Sequence, residues 1–314
     1  MVRVCTDTLK AKGKNKAGFY MDDILKENLD ALIKNIKNDW DFCIIISGGG
    51  RVRIGKSVLA LQIGYYWTDQ LKKVHNIEVP FNLENNIVFK GTKLIEKGNY
   101  LGENFHFSPL IYDEAGADLE SLKVMRRATQ DVKDFLRECG QYNLLTILVL
   151  PEYFDLPKGI ALSRSDLLLD VFTIADNKGL FQRGFFNFYS RLNKKFLYLK
   201  GKKELNYKAH PYDFHGRYYN NYPIDEQEYR DSKQEALKHR ELDRQADKWL
   251  LQRNILFEIL IEDGYTQQEI SDKLKLKGII MSQRAVSYAL EGRKGQNHNK
   301  IVYKNDEEGG EGED

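Results

Sequence analysis

The chain has 314 residues, enough for one large α/β domain and a small accessory one, and its charge is nearly balanced at 48 basic against 46 acidic residues. The last ten residues, NDEEGGEGED, hold six acids and no base, so residues 1–304 carry 48 basic against 40 acidic residues, an excess that suits a polyanionic partner. Three isolated cysteines, six scattered histidines and a longest apolar run confined to 144–150 argue against a disulfide-built secreted domain, a Cys/His metal centre and a membrane span. The polar, lysine-rich N-terminus lacks the apolar stretch of a secretory leader, so a reducing, cytoplasmic setting is the expectation.

Residues 1–20, with Lys10, Lys12, Lys14 and Lys16 around two glycines, read as a flexible basic arm. Residues 21–38 place Ile24, Leu25, Leu29, Leu32, Ile33 and Ile36 near helical spacing and predict an amphipathic helix. The next stretch, DFCIIISGGGRVRIGKS over 41–57, is the most informative in the chain. A β-branched apolar run ended by glycines predicts a buried parallel strand. Gly50-Arg51-Val52-Arg53-Ile54-Gly55-Lys56-Ser57 then fits G-x-x-x-x-G-K-[ST] at every position, and an apolar helical run follows. Glycines let successive backbone N–H groups turn toward a phosphate, and the helix start adds its positive dipole end. Lys56 would reach the β/γ-phosphates of a nucleoside triphosphate such as ATP, and the Ser57 hydroxyl would take a place on Mg²⁺.

After short segments at 86–89 (strand) and 92–97 (helix), Leu110-Ile111-Tyr112-Asp113-Glu114 is an apolar strand ending in two acids. That is the form of a Walker B segment: Asp113 would hold Mg²⁺ through water, and Glu114 would orient and deprotonate the attacking water. Residues 118–139 predict a long charged helix, and 143–150 and 167–172 two further buried strands. Strands alternating with helices imply a mainly parallel sheet wound on both sides, a three-layer α/β fold with ligands at the strands' C-terminal edge. The aromatic stretch 179–200 reads as a hairpin turning through Leu192-Asn193-Lys194, with Arg183, Arg191, Lys194 and Lys195 on its outer face.

Residues 225–248 are highly charged and read as a solvated connecting helix. Beyond them an apolar helix begins at Trp249, and two more are capped by Thr266 and Ser282. Three helices, the last opening with Gln283, Arg284 and, one turn on, Ser287, fit a helix-turn-helix whose final helix offers those side chains to DNA base edges. A small bundle serving a protein partner is the competing reading. The expected organisation is an arm over 1–20, a nucleotide-binding domain over 21–224, a linker over 225–248, a helix-turn-helix domain over 249–304 and a disordered acidic tail over 305–314.

With GRVRIGKS and IYDEA both in place, the chain resembles P-loop ATPases whose catalytic glutamate follows the Walker B aspartate. Among these it is most similar to the FtsK–HerA type: DNA-pumping and virus-packaging ATPases, and zonular-occludens-toxin-like phage proteins. The resemblance covers about residues 40–200 and rests on the two motifs, the strand order and a hairpin in place of a helical lid. It implies an ATP- and Mg²⁺-dependent motor on DNA, translocating or packaging a viral or plasmid genome, that works as a homo-oligomeric ring such as a hexamer. It also implies an arginine reaching into the neighbour's nucleotide, which by position is Arg164, with Arg126 or Arg127 as second choice. Glu152 departs from the family pattern, standing where a polar sensor of the γ-phosphate is expected; Gln141, Asn143 and Thr146 are the other candidates for that role. A nucleotide switch for replication or transposition loading, or for transcription regulation, is the alternative function.

Overall fold

Strand β3 (Phe42–Ser47) is buried at every position and lies at the centre of a seven-stranded sheet. A strand of that kind needs neighbours on both edges and helices on both faces, and the chain supplies them. The sheet order is β4 (Ile87–Val88), β5 (Pro109–Tyr112), β6 (Leu145–Val149), β3, β7 (Leu167–Ala175), β8 (Phe181–Tyr189) and β9 (Phe214–Arg217). The first five run parallel, and the last two pairings, β7–β8 and β8–β9, are antiparallel. Ile44 and Ile46 face one core with α2 (Asp23–Asn35), α3 (Lys56–His75) and the short α4 (Leu83–Asn86); Cys43 and Ile45 face the other with α5 (Gly91–Asn104), the short α6 (Gly116–Leu119), α7 (Arg127–Glu138) and α8 (Arg191–Gly201). The result is the three-layer α/β arrangement expected of a P-loop NTPase. The computed structural model describes residues 1–12, 18–119 and 127–294, and two units are resolved in it, Met1–Leu237 and Lys238–Asp314.

The described part of the basic arm is folded. β1 (Val2–Val4) pairs antiparallel with β2 (Phe19–Met21), and α1 (Thr6–Ala11) lies between them in sequence. Val4, Cys5, Leu9, Phe19 and Met21 join the α2–α3 core. Their apolar side chains outweigh the lysines, because Lys12 lays its ammonium over the Tyr65 ring, 5.1 Å from the centroid, and keeps its charge near the surface.

The hairpin is also displaced. β7 and β8 form it, joined through a turn at 176–180, and residues 191–201 are the helix α8. Lys194, Leu197, Tyr198 and Gly201 are its buried residues, a 3–4 spacing that wins over the aromatic alternation. Of the four basic residues placed on an outer face, Lys194 is fully buried and donates to the Ala161 carbonyl at 2.8 Å. Arg191 pairs with Asp166 at 3.3 Å.

The linker is not a separate element. α9 (Glu226–Glu262) is one helix of 37 residues, and the division between the two units falls within it. In the second unit, Phe257 of α9, Ile270 of α10 (Gln267–Leu276) and Val286 and Ala289 of α11 (Gln283–Lys294) form a small core. Thr266 and Glu269 make a reciprocal capping box at the start of α10, as a Thr-x-x-Glu spacing favours. The expected acidic tail and residues 295–304 lie outside the described residues.

Candidate functional site

The site is assembled at the edge where β3, β5 and β6 end. After Ser47 the chain leaves β3, and the Gly48 and Gly50 N–H groups both donate to the Pro151 carbonyl, at 3.2 and 2.9 Å. This ties the glycine loop to the chain leaving β6. Gly55 stands at φ +104 just before α3 begins, and a Cβ there would lie 2.6 Å from the Tyr218 hydroxyl, so glycine is required on both counts. Lys56 opens α3 and its ammonium bonds back to the Arg51 carbonyl. Burial lowers the Lys56 pKa, and the charges of Glu114 and Asp113 partly offset that effect.

The two acids are held from both sides by the sheet. The Asp113 N–H donates to Val88 of β4 at 2.9 Å and the Ala115 N–H to Val149 of β6 at 2.8 Å. Between these anchors Glu114 takes a left-handed conformation, φ 65, which is uncommon for a residue with a Cβ and is found where surrounding structure imposes it. Its own N–H donates to Asp113 Oδ1 at 3.0 Å. Loop and acids line one cavity of about 810 Å³ that includes residues 52–58, Asp113, Glu114, Arg183, Tyr222, Tyr229, Arg230 and Lys233, a volume in the range of small-ligand sites.

The residues that sequence reasoning missed come from α9. The Tyr229 hydroxyl donates to Asp113 Oδ2 and also meets the Ser57 hydroxyl. Lys233, one turn later, bridges Asp113 Oδ2 at 2.9 Å and Glu114 Oε1 at 2.8 Å. Burial pulls the Lys233 pKa down, but the charges of Asp113 and Glu114 outweigh it and the ammonium is stabilised. Burial, then the Asp113 charge, holds the Tyr229 phenol far above its usual range, so it remains a donor. The available signal was the i, i+4 spacing of a tyrosine and a lysine in an otherwise solvated helix, too weak to single out.

Ser57 and Asp113 line the same cavity and both neighbour the Tyr229 phenol. That donor set, one hydroxyl and one carboxylate beside a phosphate loop, suits Mg²⁺. Glu152 proves to be tied in place: it accepts from the Tyr207 hydroxyl at 2.6 Å, and that hydroxyl lies 3.3 Å from Ser47 Oγ. Gln141 and Asn143 precede β6, at the far edge of the sheet, and Thr146 is buried near the start of the strand, so these three candidates stand away from the cavity. Asp170, in register with Ser47, is buried beside the loop, and desolvation pushes its pKa up to about 7.

Arg164 is not brought to this site. It ends a π-helical turn, Gly159–Arg164, before β7 begins, at the opposite edge of the sheet. Its guanidinium bonds to the Leu136 carbonyl and pairs with Asp41, and the side chain is 14 % exposed. Within this chain the guanidinium is therefore engaged internally, on an acid and a carbonyl. Arg126 and the Arg127 side chain lie outside the described residues. In the second unit Gln283 and Arg284 are exposed and Ser287 is half-buried, while Val286 turns into the core. Arg284 lies over the Tyr288 ring and donates to its hydroxyl at 3.1 Å.

No family model matches the chain, and no curated protein matches it. Among solved structures it is similar to the genome packaging NTPase B204 from Sulfolobus turreted icosahedral virus 2. In complex with ATP-gammaS, that protein shows 16 % identity over 49 % of this chain and 94 % of that one, with a TM-score of 0.32. B204, the DNA-packaging ATPase from Sulfolobus Turreted Icosahedral Virus, shows 20 % identity over 50 % of this chain and 95 % of that one, with a TM-score of 0.33. Likenesses at these scores carry no weight of their own, and the fold rests on this chain's topology. No described helix is long and apolar enough to cross a membrane.

Proposed function

We propose that this chain is an ATP-hydrolysing motor acting on DNA, in translocation or packaging of a genome. The observation that carries the reading is the convergence of Lys56, Ser57, Asp113 and Glu114 on one cavity at the C-terminal edge of a parallel sheet. The glycine loop and the start of α3 receive the phosphates, Lys56 neutralises the β/γ-oxygens, and Ser57 and Asp113 hold the metal. Bound Mg²⁺ would draw charge from the phosphates undergoing transfer. Glu114 takes the proton of the attacking water. The second unit, with Gln283, Arg284 and Ser287 on an accessible helical face, contributes DNA contacts, and assembly into a homo-oligomeric ring would place several such sites along one duplex.

The test is nucleotide binding and turnover by the full chain, with and without duplex DNA. Wild type binds ATP and hydrolyses it faster when DNA of any sequence is added. Lys56→Ala loses tight binding, because the one cation of the loop that reaches the terminal phosphates is gone. Unchanged ATP affinity in Lys56→Ala, measured by calorimetry, overturns the site assignment. Turnover indifferent to DNA removes the motor and leaves a nucleotide-binding switch.

A further inference from the structure

Both acids that the proposed chemistry requires at the metal position already have partners from α9. Asp113 Oδ1 accepts from the Glu114 N–H, and Oδ2 accepts from both Tyr229 and Lys233. Glu114 Oε1 is paired to Lys233, and the Ser57 hydroxyl is a neighbour of the Tyr229 phenol. Resting on the nucleotide reading of this site, we propose that the first two turns of α9 are an intrasteric latch: the Tyr229 hydroxyl and the Lys233 ammonium stand where a hydrated divalent cation and the attacking water must go, so seating of α9 and binding of the metal–nucleotide complex exclude one another.

Charge and geometry both favour exclusion over coexistence. Lys56 and Lys233 alone balance Asp113 and Glu114, and Arg53, Arg183 and Arg230 also line the cavity, so the acid pair is already neutralised without a metal. A divalent cation placed between Ser57 and Asp113 would meet an ammonium already bonded to the same carboxylate oxygen, and like charges at that range repel strongly where water is scarce. The phenol is the smaller obstacle sterically, yet it bonds Asp113 and neighbours Ser57, the two residues that would hold the metal.

The latch is built to hold its position and to release as a unit. Tyr229 sits between the rings of Phe89 and Tyr222, with centroids 5.8 and 5.9 Å away. Asp225 caps the start of the helix by accepting from the Glu228 N–H at 2.9 Å. The segment leading into it is fastened to the nucleotide-binding helix, where Gln62 donates to the Tyr219 and Asn221 carbonyls at 2.7 and 2.8 Å. Tyr218 donates to the Ile54 carbonyl in the glycine loop at 3.3 Å. Residues 218–233 therefore run from the phosphate loop to the acid pair, and a ligand in the loop pushes on the same segment that carries the latch. Lys233 is the release point: its side chain is 24 % exposed and its stem is flexible, whereas Tyr229 is buried.

The experiment uses the full chain and reads metal binding directly. Mn²⁺ affinity is measured by electron paramagnetic resonance with a non-hydrolysable ATP analogue present, and nucleotide affinity is measured separately in chelator. Lys233→Met keeps the apolar stem and removes the charge, and is expected to bind Mn²⁺ about tenfold more tightly. Its metal-free nucleotide affinity stays near that of wild type. Tyr229→Phe keeps the ring and removes the hydroxyl, and is expected to shift Mn²⁺ affinity in the same direction by a smaller factor; it carries the test if Lys233→Met does not fold. In wild type, amide exchange over 226–233 rises when Mn²⁺ and analogue bind together. Unchanged or weaker Mn²⁺ binding in both variants overturns the latch, and a loss of metal-free nucleotide affinity in Lys233→Met makes Lys233 a phosphate ligand instead. If wild type binds no nucleotide in chelator or with metal, the site reading itself fails and the latch falls with it. If wild type binds nucleotide and Lys56→Ala does not, the site reading stands, and the variants judge the latch alone.

Discussion

At the edge where β3 and β7 begin, Arg164 bonds to Asp41 and the Leu136 carbonyl, and Asp166 accepts from the Cys43 N–H and pairs with Arg191. At the edge where β3 and β5 end, Asp113, Glu114, Ser57 and Lys56 line a cavity, and the cation facing the acids arrives on a helix from 120 residues later in the chain. Both edges hold acids and bases at hydrogen-bonding distance. They differ in what surrounds the charges: the first is packed between strand starts and a helix end, and the second opens onto space sized for a ligand. Charge pairs at the closed edge act on stability, and those at the open edge act on chemistry.

The sharpest way to separate the edges is Glu114→Gln. The substitution keeps the shape and an acceptor for Lys233 but removes the base, so ATP hydrolysis is expected to fall by about 10²–10⁴ while ATP still binds. Hydrolysis within a few-fold of wild type would mean that another group prepares the water.

Asp170 tests the open edge from below. Its folded pKa, near 7, lies above the ordinary value of 3.8, so the native state binds the proton more tightly than the unfolded chain. Stability from this group is therefore fully present below pH 3.8 and is lost as pH rises toward 7. The Asn side chain of Asp170→Asn carries no charge, so the variant should exceed wild type by up to about 4 kcal/mol at pH 8 and match it near pH 4. Urea midpoints across that range check it; a gap that is constant with pH would show that Asp170 does not titrate in the window.

The closed edge answers to Arg164→Ala. Losing the guanidinium leaves Asp41 and a carbonyl without their partner, and about 3 kcal/mol of stability should go with it. ATP affinity per folded molecule should be unchanged. A variant of normal stability that fails to hydrolyse ATP would restore Arg164 as a residue acting between subunits.

The difference in legibility between these regions has a physical origin. The Gly50–Ser57 loop and the Asp113–Glu114 turn were readable because the residues that act are contiguous in sequence and flanked by buried strands. The internal ties of Arg164 were not readable because sequence order places it before β7 but says nothing of Asp41, 123 residues earlier, which meets it at the strand starts. Tyr229 and Lys233 were unreadable for the same reason: their partners lie at least 116 residues away, and the part of the helix that carries them is rich in charges with no continuous apolar stripe. The folded arm at 1–12 and 18–21 was obscured by its lysines, although Val2-Arg3-Val4 and Phe19-Tyr20-Met21 alternate as paired strands do. The α8 helix was hidden by aromatics that favour strands on local propensity, until the spacing of Lys194, Leu197, Tyr198 and Gly201 is considered.

The smallest effect belongs to an arginine that neither edge constrains. Arg164 is locked to an acid, whereas Arg284 lies on an exposed face of α11 with its guanidinium over Tyr288, its planar group presented outward from the helix's first turn. Removing Arg284 should leave the second unit's stability within about 0.5 kcal/mol of wild type, because no buried group loses a partner. If Gln283, Arg284 and Ser287 read bases, Arg284→Ala should weaken binding to a selected duplex by on the order of 1–2 kcal/mol and flatten the preference over random sequence. Residual binding should fall steeply with salt, since phosphate contacts elsewhere remain. Fluorescence anisotropy on selected and random duplexes, at two salt concentrations, makes the comparison. Equal affinity and equal preference in wild type and variant would assign this face to a protein partner, and the contrast between a tied arginine and an available one would then concern assembly and not DNA.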